Sequence, residues 1–473
     1  MLELDRKQKV ILHLTWIAFF LTFLVWFNMA PFNATLRTTL GLTAGQIQIL
    51  MICNVALTIP ARIVIGSLVD RLGPKKVFVA LLLYSAAVTF YFSMAQSFTD
   101  LLISRLLLGI VGASFVVGIK MISEWFPPEK MGAAQGLYAG WGNFGAAAAA
   151  FSLPSLAVAF SPENGWRAAT AFSGVLCLVW AFVYHRWAHE VPERDSEFRL
   201  SLEKTIEITS FKDLALEILL MIPLYGAVLI FLWKLSTPPT LLLSTPVFWI
   251  LSAATLALFT HNVTRCLRIN LPRIRGNHSG ESPYEFRQIA ILSLLYALTF
   301  GSELAVISMF PDFLATTFGL SLITAGILGS SFSFFNLVTR PGGGWLSDHF
   351  GRRRTLFLLV IGAAVCYGLM SGITSAWALT RVLGLTVLCS IFIQAGNGAC
   401  FAAVPLIRPD LTGKLAGVAG AYGNVGAVFF LILLSLFGPQ SFFKWIGIYA
   451  LFVLIILLFL KPFGIPDRSN PQT

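Results

Sequence analysis

Residues 62–76 read Arg-Ile-Val-Ile-Gly-Ser-Leu-Val-Asp-Arg-Leu-Gly-Pro-Lys-Lys, and residues 340–354 read Arg-Pro-Gly-Gly-Gly-Trp-Leu-Ser-Asp-His-Phe-Gly-Arg-Arg-Arg. The two stretches register at a constant offset of 278 residues, which pairs Arg62 with Arg340, Asp70 with Asp348 and Gly73 with Gly351. Each arginine interrupts an apolar run otherwise long enough to cross a bilayer. An arginine at the bilayer centre costs about 2.5–3.5 kcal/mol on insertion scales, so it usually faces a cavity. Two such charges at matching points of a duplicated chain point to one cavity and an anionic cargo.

Composition sets the class. Of 473 residues, 57% are hydrophobic and only 12% charged, and the mean hydropathy is +0.79. Apolar runs of about 20 residues recur along nearly the whole length, which excludes a soluble globular domain. The first residues, Met1 to Lys9, lead into an apolar segment without a small-residue cleavage site, so the segment reads as a retained first helix. The net charge of +11 reads as basic cytoplasmic loops rather than as a nucleic-acid surface. The six cysteines are scattered singly and the six histidines are dispersed. Neither set has a metal or disulfide spacing, so no metal and no cofactor are expected.

Six apolar segments lie near 10–32, 46–69, 76–96, 101–125, 132–154 and 166–188, and six more near 288–310, 322–346, 355–374, 380–404, 412–437 and 443–462. Two further apolar runs, 218–233 and 240–260, lie between the sets and flank Pro238-Pro239. Every second loop is basic, which places both termini in the cytoplasm. That parity requires the two central runs to form a hairpin or neither to cross. A hairpin is the preferred reading, with a pair of interfacial segments as the alternative. The expected fold is an all-α integral membrane protein with two six-helix halves and an inserted hairpin, 12+2 spans in all. The expected divisions are 1–195 (N-terminal half), 196–285 (insertion), 286–465 (C-terminal half) and 466–473 (cytoplasmic tail).

A second repeat supports the first. Gly142-Asn143-Phe-Gly145-Ala146 parallels Gly423-Asn424-Val-Gly426-Ala427 at an offset of 281 residues, in the fifth segment of each half. Small residues four apart let helices approach closely in lipid, so packing explains most of these glycines. The asparagines differ, because a buried amide costs free energy unless paired. A matched couple points to the same pathway as the arginines.

The two six-helix halves with Gly66-x-x-x-Asp70-Arg71-x-Gly73-x-Lys75 resemble the major facilitator superfamily. The repeated Gly-Asn-x-Gly-Ala helices and twin arginines resemble its nitrate/nitrite porter branch, over all of the chain except about 200–285. The resemblance implies a multi-pass carrier of the inner or plasma membrane, working in nitrate assimilation as a monomer surrounded by lipid. It also implies that the anion lies between Arg62 and Arg340, sandwiched by Phe115 and Phe300, with Tyr296 and Asn143 adding hydrogen bonds; Asn424 joins the expected binding set as the repeat partner of Asn143. The chemistry is consistent: nitrate is a flat monoanion, so planar guanidiniums can bond in its plane while rings cover its faces.

Three charged groups fall outside that set. Glu303 is an acid within the seventh of the twelve segments, and Lys120 and Glu124 lie at i,i+4 spacing past Phe115. A proton symporter needs a titrating element, and buried acids mark such relays. Symport with Glu303 as the first coupling candidate is therefore preferred. Exchange of nitrate for nitrite is the alternative, and the Lys120–Glu124 pair can simply neutralise itself. Asp70, Arg71 and Asp348 read as cytoplasmic gating residues. Arg105, with Arg381 early in the corresponding helix, reads as a structural lock. A carrier of another organic anion is a rival of the same class. A membrane enzyme or sensor is disfavoured, because the sequence offers neither a nucleophile with its base nor a soluble domain.

Overall fold

The computed structural model describes the chain except residues 1–4, 127, 162–163, 191–207, 209, 239–240, 276–284, 408–411 and 462–473. The side chains of residues 63, 67, 70, 128–133, 273, 405 and 412–414 also lie outside the description. The expected tail 466–473 and the Asp70 carboxylate fall among these. The described residues are helical, without strands. Thirteen helices among them are long and apolar enough to cross a membrane, so the chain is an integral, multi-pass membrane protein.

The N-terminal part runs through α1 (Arg6–Trp26), α2 (Asn33–Thr39), α3 (Ala44–Ala56), α4 (Thr58–Leu72), α5 (Pro74–Ser93), α6 (Phe98–Leu108), α7 (Ser114–Trp125), α8 (Pro128–Phe160) and α9 (Gly165–Trp187). The central part is α10 (Phe211–Ser236) and α11 (Thr245–Arg275). The C-terminal part comprises α12 (Phe286–Phe318), α13 (Leu322–Gly329), α14 (Ser331–Phe334), α15 (Asn336–Phe350), α16 (Arg352–Met370), α17 (Leu379–Ala403) and α18 (Thr412–Leu457). The segments expected at 412–437 and 443–462 merge into the 46-residue α18, which is non-helical only at Gly438 (φ 77°), followed by Pro439. At 1.5 Å per residue a straight helix of that length would be about twice a hydrocarbon core of ~30 Å. The break at Gly438 divides it into two spanning lengths.

Local chemistry sets the breaks that matter. Helix α3 gives way to α4 at Leu57, and α14 to α15 at Phe335. Both breaks precede their arginine by five residues, so the 278-residue repeat holds in the backbone. The glycines of the loop motifs end α4 and α15 with φ of 85° at Gly73 and 87° at Gly351. L side chains adopt that region only with strain, which explains glycine at this motif position.

Glycines also let the helices touch. A Cβ on Gly398 would strike the carbonyl of Arg340, and one on Gly343 would strike the backbone of Ala395. Helices α15 and α17 therefore meet backbone to backbone at the second arginine. In the same manner Gly145 of α8 lies on Phe20 and Leu24 of α1, and Gly426 of α18 lies on Ala297 of α12.

Position in the bundle varies sharply. The apolar window of α12 is 94% buried, against 22% for α10 and 6% for α11. Helix α12 is thus central, while α11 faces outward. Helix α10 packs on α12, α18 and α3. Its Leu220 carbonyl accepts a hydrogen bond from the Tyr422 hydroxyl of α18, and Asp213 accepts from the Arg287 amide at 3.2 Å. Within the hairpin, Asn262 donates to Tyr225 and Cys266 Sγ to Glu217 Oε2 at 2.9 Å.

Gly398→Val is expected to lower thermal stability by about 1–3 kcal/mol, the usual cost of overpacking. Gly384→Val, on the same helix with nothing within 4 Å, is expected to stay within about 0.5 kcal/mol. Thermal unfolding of both purified variants in detergent checks this.

Candidate functional site

The break before Arg62 and the close α15–α17 approach aim the two guanidiniums inward. Arg62 is 7% exposed and Arg340 4%. Among the described residues neither makes an ion pair. Arg62 Nη1 donates to the Gly420 carbonyl of α18 at 2.7 Å, and Asn424 Nδ2 of the same helix donates to that carbonyl at 3.3 Å. The first repeat of one half thus meets the second repeat of the other. Arg340 Nη2 donates to the Tyr296 hydroxyl at 2.8 Å.

One ring unites the pair. Phe300 lies 5.9 Å from the Arg62 guanidinium and 5.6 Å from that of Arg340, within cation–π range of both. Its other neighbour is Tyr296, stacked with ring centroids 5.0 Å apart and an interplanar angle of 8°. These residues are one turn apart on α12, so helical spacing alone makes the stack. Phe115 covers Arg62 at 5.4 Å. Among the described residues, Arg62 Nε, Arg340 Nη1 and both polar atoms of Asn143 are buried without a hydrogen-bond partner. Buried cationic donors without acceptors, beside flat aromatic faces, form a setting for a small acceptor-only anion.

Glu303 lies two turns beyond Tyr296 on the same helix and is 1% exposed. Asn336 Nδ2 of α15 donates to its Oε1, and Asn397 Nδ2 of α17 donates to its Oε2 at 2.6 Å.

The sequence profile of the Major Facilitator Superfamily matches residues 15–301 and 289–472. The nitrate/nitrite transporter NrtP of Picosynechococcus sp. is 41% identical over 458 residues, covering 91% of this chain and 85% of the relative. That of Nostoc punctiforme is 39% identical over 454 residues, covering 94% and 90%. The chain belongs to the nitrate/nitrite transporter family of the major facilitator superfamily. The fold agrees: a bacterial homolog of the human lysosomal transporter Spinster, in an inward-facing and occupied conformation, superposes with a TM-score of 0.65 at 15% identity. It covers 99% of this chain and 100% of that one.

Within this family fold, the structure draws together Arg62, Arg340, Phe115, Tyr296, Phe300 and Asn424. It buries Asn143 one turn past Gly140, where α8 meets the Asn336 carbonyl of α15. It also adds a residue that the sequence reading passed over. Half-buried Phe401 sits edge-on to Tyr296 at 4.7 Å and to Phe115 at 6.2 Å, linking the aromatic groups of the two halves. A signal existed: Gly398-Ala399-Cys400-Phe401 repeats Gly112-Ala113-Ser114-Phe115 at an offset of 286 residues. Tyr138 supports Phe115 from α8, its hydroxyl donating to the carbonyls of Ser114 and Phe115 at 3.2 Å.

Other candidates lie elsewhere. Lys120 and Glu124 pair at 3.7 Å, both partly exposed. Arg105 is fully buried, stacked on Phe92 at 4.1 Å. Its guanidinium donates to Asn28 Oδ1 at 2.9 Å and to the Trp26 carbonyl at 3.4 Å, tying α6 to the end of α1. Arg381, expected to match it, is exposed, so the two arginines have different surroundings. Asp348 pairs with Arg352 at the start of the next helix, and Arg352 also donates to Ser347 Oγ at 2.9 Å. Both contacts stay within one half. Arg71 is exposed.

Arg62→Lys and Arg340→Lys are each expected to weaken nitrate binding at least about tenfold, or ~1.4 kcal/mol, with the protein still inserted. The planar fork is lost while the charge is kept. Phe401→Ala is expected to weaken binding by a smaller factor. Titration of nitrate onto purified variants of matched monodispersity checks all three.

Proposed function

We propose that the chain carries nitrate, and nitrite with it, across the cell membrane, and that protons drive import. The observation that carries this reading is the pair of buried guanidiniums on either side of Phe300. A monovalent planar anion satisfies their partnerless donors and leaves no apolar remainder to accommodate, which separates this site from one for a bulky organic anion. The names of the two relatives supply the substrate class.

Alternating access follows from where the site lies. Arg62 and Phe115 come from one half and Arg340, Tyr296 and Phe300 from the other, so rocking of the halves would open the site to one side at a time. The Arg62 bond to Gly420 crosses between the halves and must exchange for another partner in each cycle. Because one chain supplies the whole site, a monomer suffices as the working unit. Alternating basic loops support cytoplasmic termini, and the division of α18 at Gly438 supports fourteen crossings, with α10–α11 as a peripheral hairpin. Asp348, with Arg71 and Asp70, serves as a cytoplasmic gate.

For coupling, the two arginines are assigned to the anion, so the proton needs a separate acid, and buried acids mark such relays. Glu303 is the buried carboxyl on the helix that carries Tyr296 and Phe300. Protonation there changes the charge facing Arg340 and so links the proton to the anion. Lys120 and Glu124, already paired with one another at a partly exposed position, take the lesser part.

Proteoliposomes with an imposed proton gradient test the reading. External acid is expected to accelerate nitrate uptake severalfold, nitrite to compete, and Glu303→Gln to remove the acceleration. Uptake that ignores the gradient and rises with internal nitrite would establish exchange instead.

A further inference from the structure

We infer that Asn336 and Asn397 are the positioning residues of the coupling site, a pair of amides that hold Glu303 both as carboxylate and as acid. The inference rests on Glu303 as the proton site. Its warrant is the hydrogen-bond inventory around that side chain. Each asparagine gives its Nδ2 to one carboxylate oxygen. The Oδ1 of each is buried and has no partner. An ionised carboxylate only accepts, whereas a protonated one must also donate. Rotation of either amide about its terminal bond presents Oδ1 in place of Nδ2 and receives the new O–H. The other amide keeps donating to the remaining oxygen. The proton comes from water and returns to water, and no other bond changes.

Gln394, three residues before Asn397, gives the contrast. Its Oε1 accepts from Thr339 Oγ1 at 2.8 Å and its Nε2 donates to the Phe332 carbonyl at 2.5 Å. Both ends are engaged, so this amide is fixed. Among the described residues of α12, α15 and α17, the two amides that touch Glu303 are the ones that keep a buried, partnerless oxygen; elsewhere Asn33, Asn54, Asn143 and Asn424 do so too, but none of those touches a carboxylate. The charged and titratable groups acting on Glu303 are Arg340 of α15, Tyr296 of its own helix and Tyr367 of α16. Asn336 stands one turn before Arg340, and its carbonyl faces Gly140 of α8. Amide rotation therefore acts on the helix start that carries the second arginine and abuts the other half.

Asn397→Leu and Asn397→Thr test this, with the pH of half-maximal proton-driven uptake as the readout. Leucine removes a charge-assisted donor from the carboxylate, a larger loss than the neutral bond removed from the acid. The midpoint is expected to rise by about one unit, a tenfold change in proton concentration. Threonine, which both donates and accepts, is expected to restore it. A midpoint unmoved in Asn397→Leu, with Glu303→Gln uncoupled, overturns the amide role and leaves the proton site standing. Proton-driven uptake that survives Glu303→Gln overturns both. Infrared difference spectra of the unmodified transporter with labelled asparagine give a measurement independent of folding. A side-chain amide carbonyl band is expected to shift as the carboxylic-acid band appears. A carboxylic-acid band that titrates alone overturns the inference.

Discussion

Two buried guanidiniums that make no ion pair among the described residues are the constraint that organises this molecule. Burial of a cation is costly in a low-dielectric setting, and a neutral carbonyl or hydroxyl compensates only part of that cost. Among the described residues, Arg62 and Arg340 each have one such neutral partner, and they share the face of Phe300. Arg62 Nε and Arg340 Nη1 are left without an acceptor among the described residues. Stability and function are opposed here, because closing the site on itself with a carboxylate would remove the reason for binding cargo.

The surrounding architecture serves that placement. Helix breaks at Leu57 and Phe335 set the start of each arginine-bearing helix, and positive-φ glycines at Gly73 and Gly351 end them. Between those points, Gly343 and Gly398 bring α15 against α17, while Gly426 brings α18 against α12. The aromatic groups then become continuous: Tyr138 supports Phe115, Phe115 meets Phe401, Phe401 meets Tyr296, and Tyr296 stacks on Phe300. Replacing a core glycine therefore moves a group of the candidate site as well as a packing surface. The central hairpin contributes differently. It touches α18 through Tyr422, two residues from both Gly420 and Asn424, yet its second helix faces outward.

The charged groups of the site fall into two sets. The arginines bring positive charge, and Glu303 is a buried acid acted on by Arg340. Its two asparagine partners place it in a seam with Arg340, and the proposed coupling would act through one turn of α15. Lys120 and Glu124 neutralise one another at a partly exposed position and do not enter this seam.

The spans, the duplication, the arginine pair and the charge sign of the cargo were all legible along the chain. Each is a matter of composition, periodicity or spacing, and insertion into a membrane enforces them locally. The seven expected binding residues carry repeat or motif signals of this kind, and six of them meet in space. The environment of lone side chains was not legible. Arg105 and Arg381 hold similar places in their helices, but one is buried on Phe92 and the other faces outward, because helix rotation within the bundle decides exposure. Phe401 was one phenylalanine among 41 until its ring was found between Phe115 and Tyr296. Asn336 and Asn397 meet Glu303 only because glycines allow α15 and α17 to touch, a contact between residues 61 apart in sequence. Sequence determined which charges enter the membrane; the packing of distant helices decided which groups surround them.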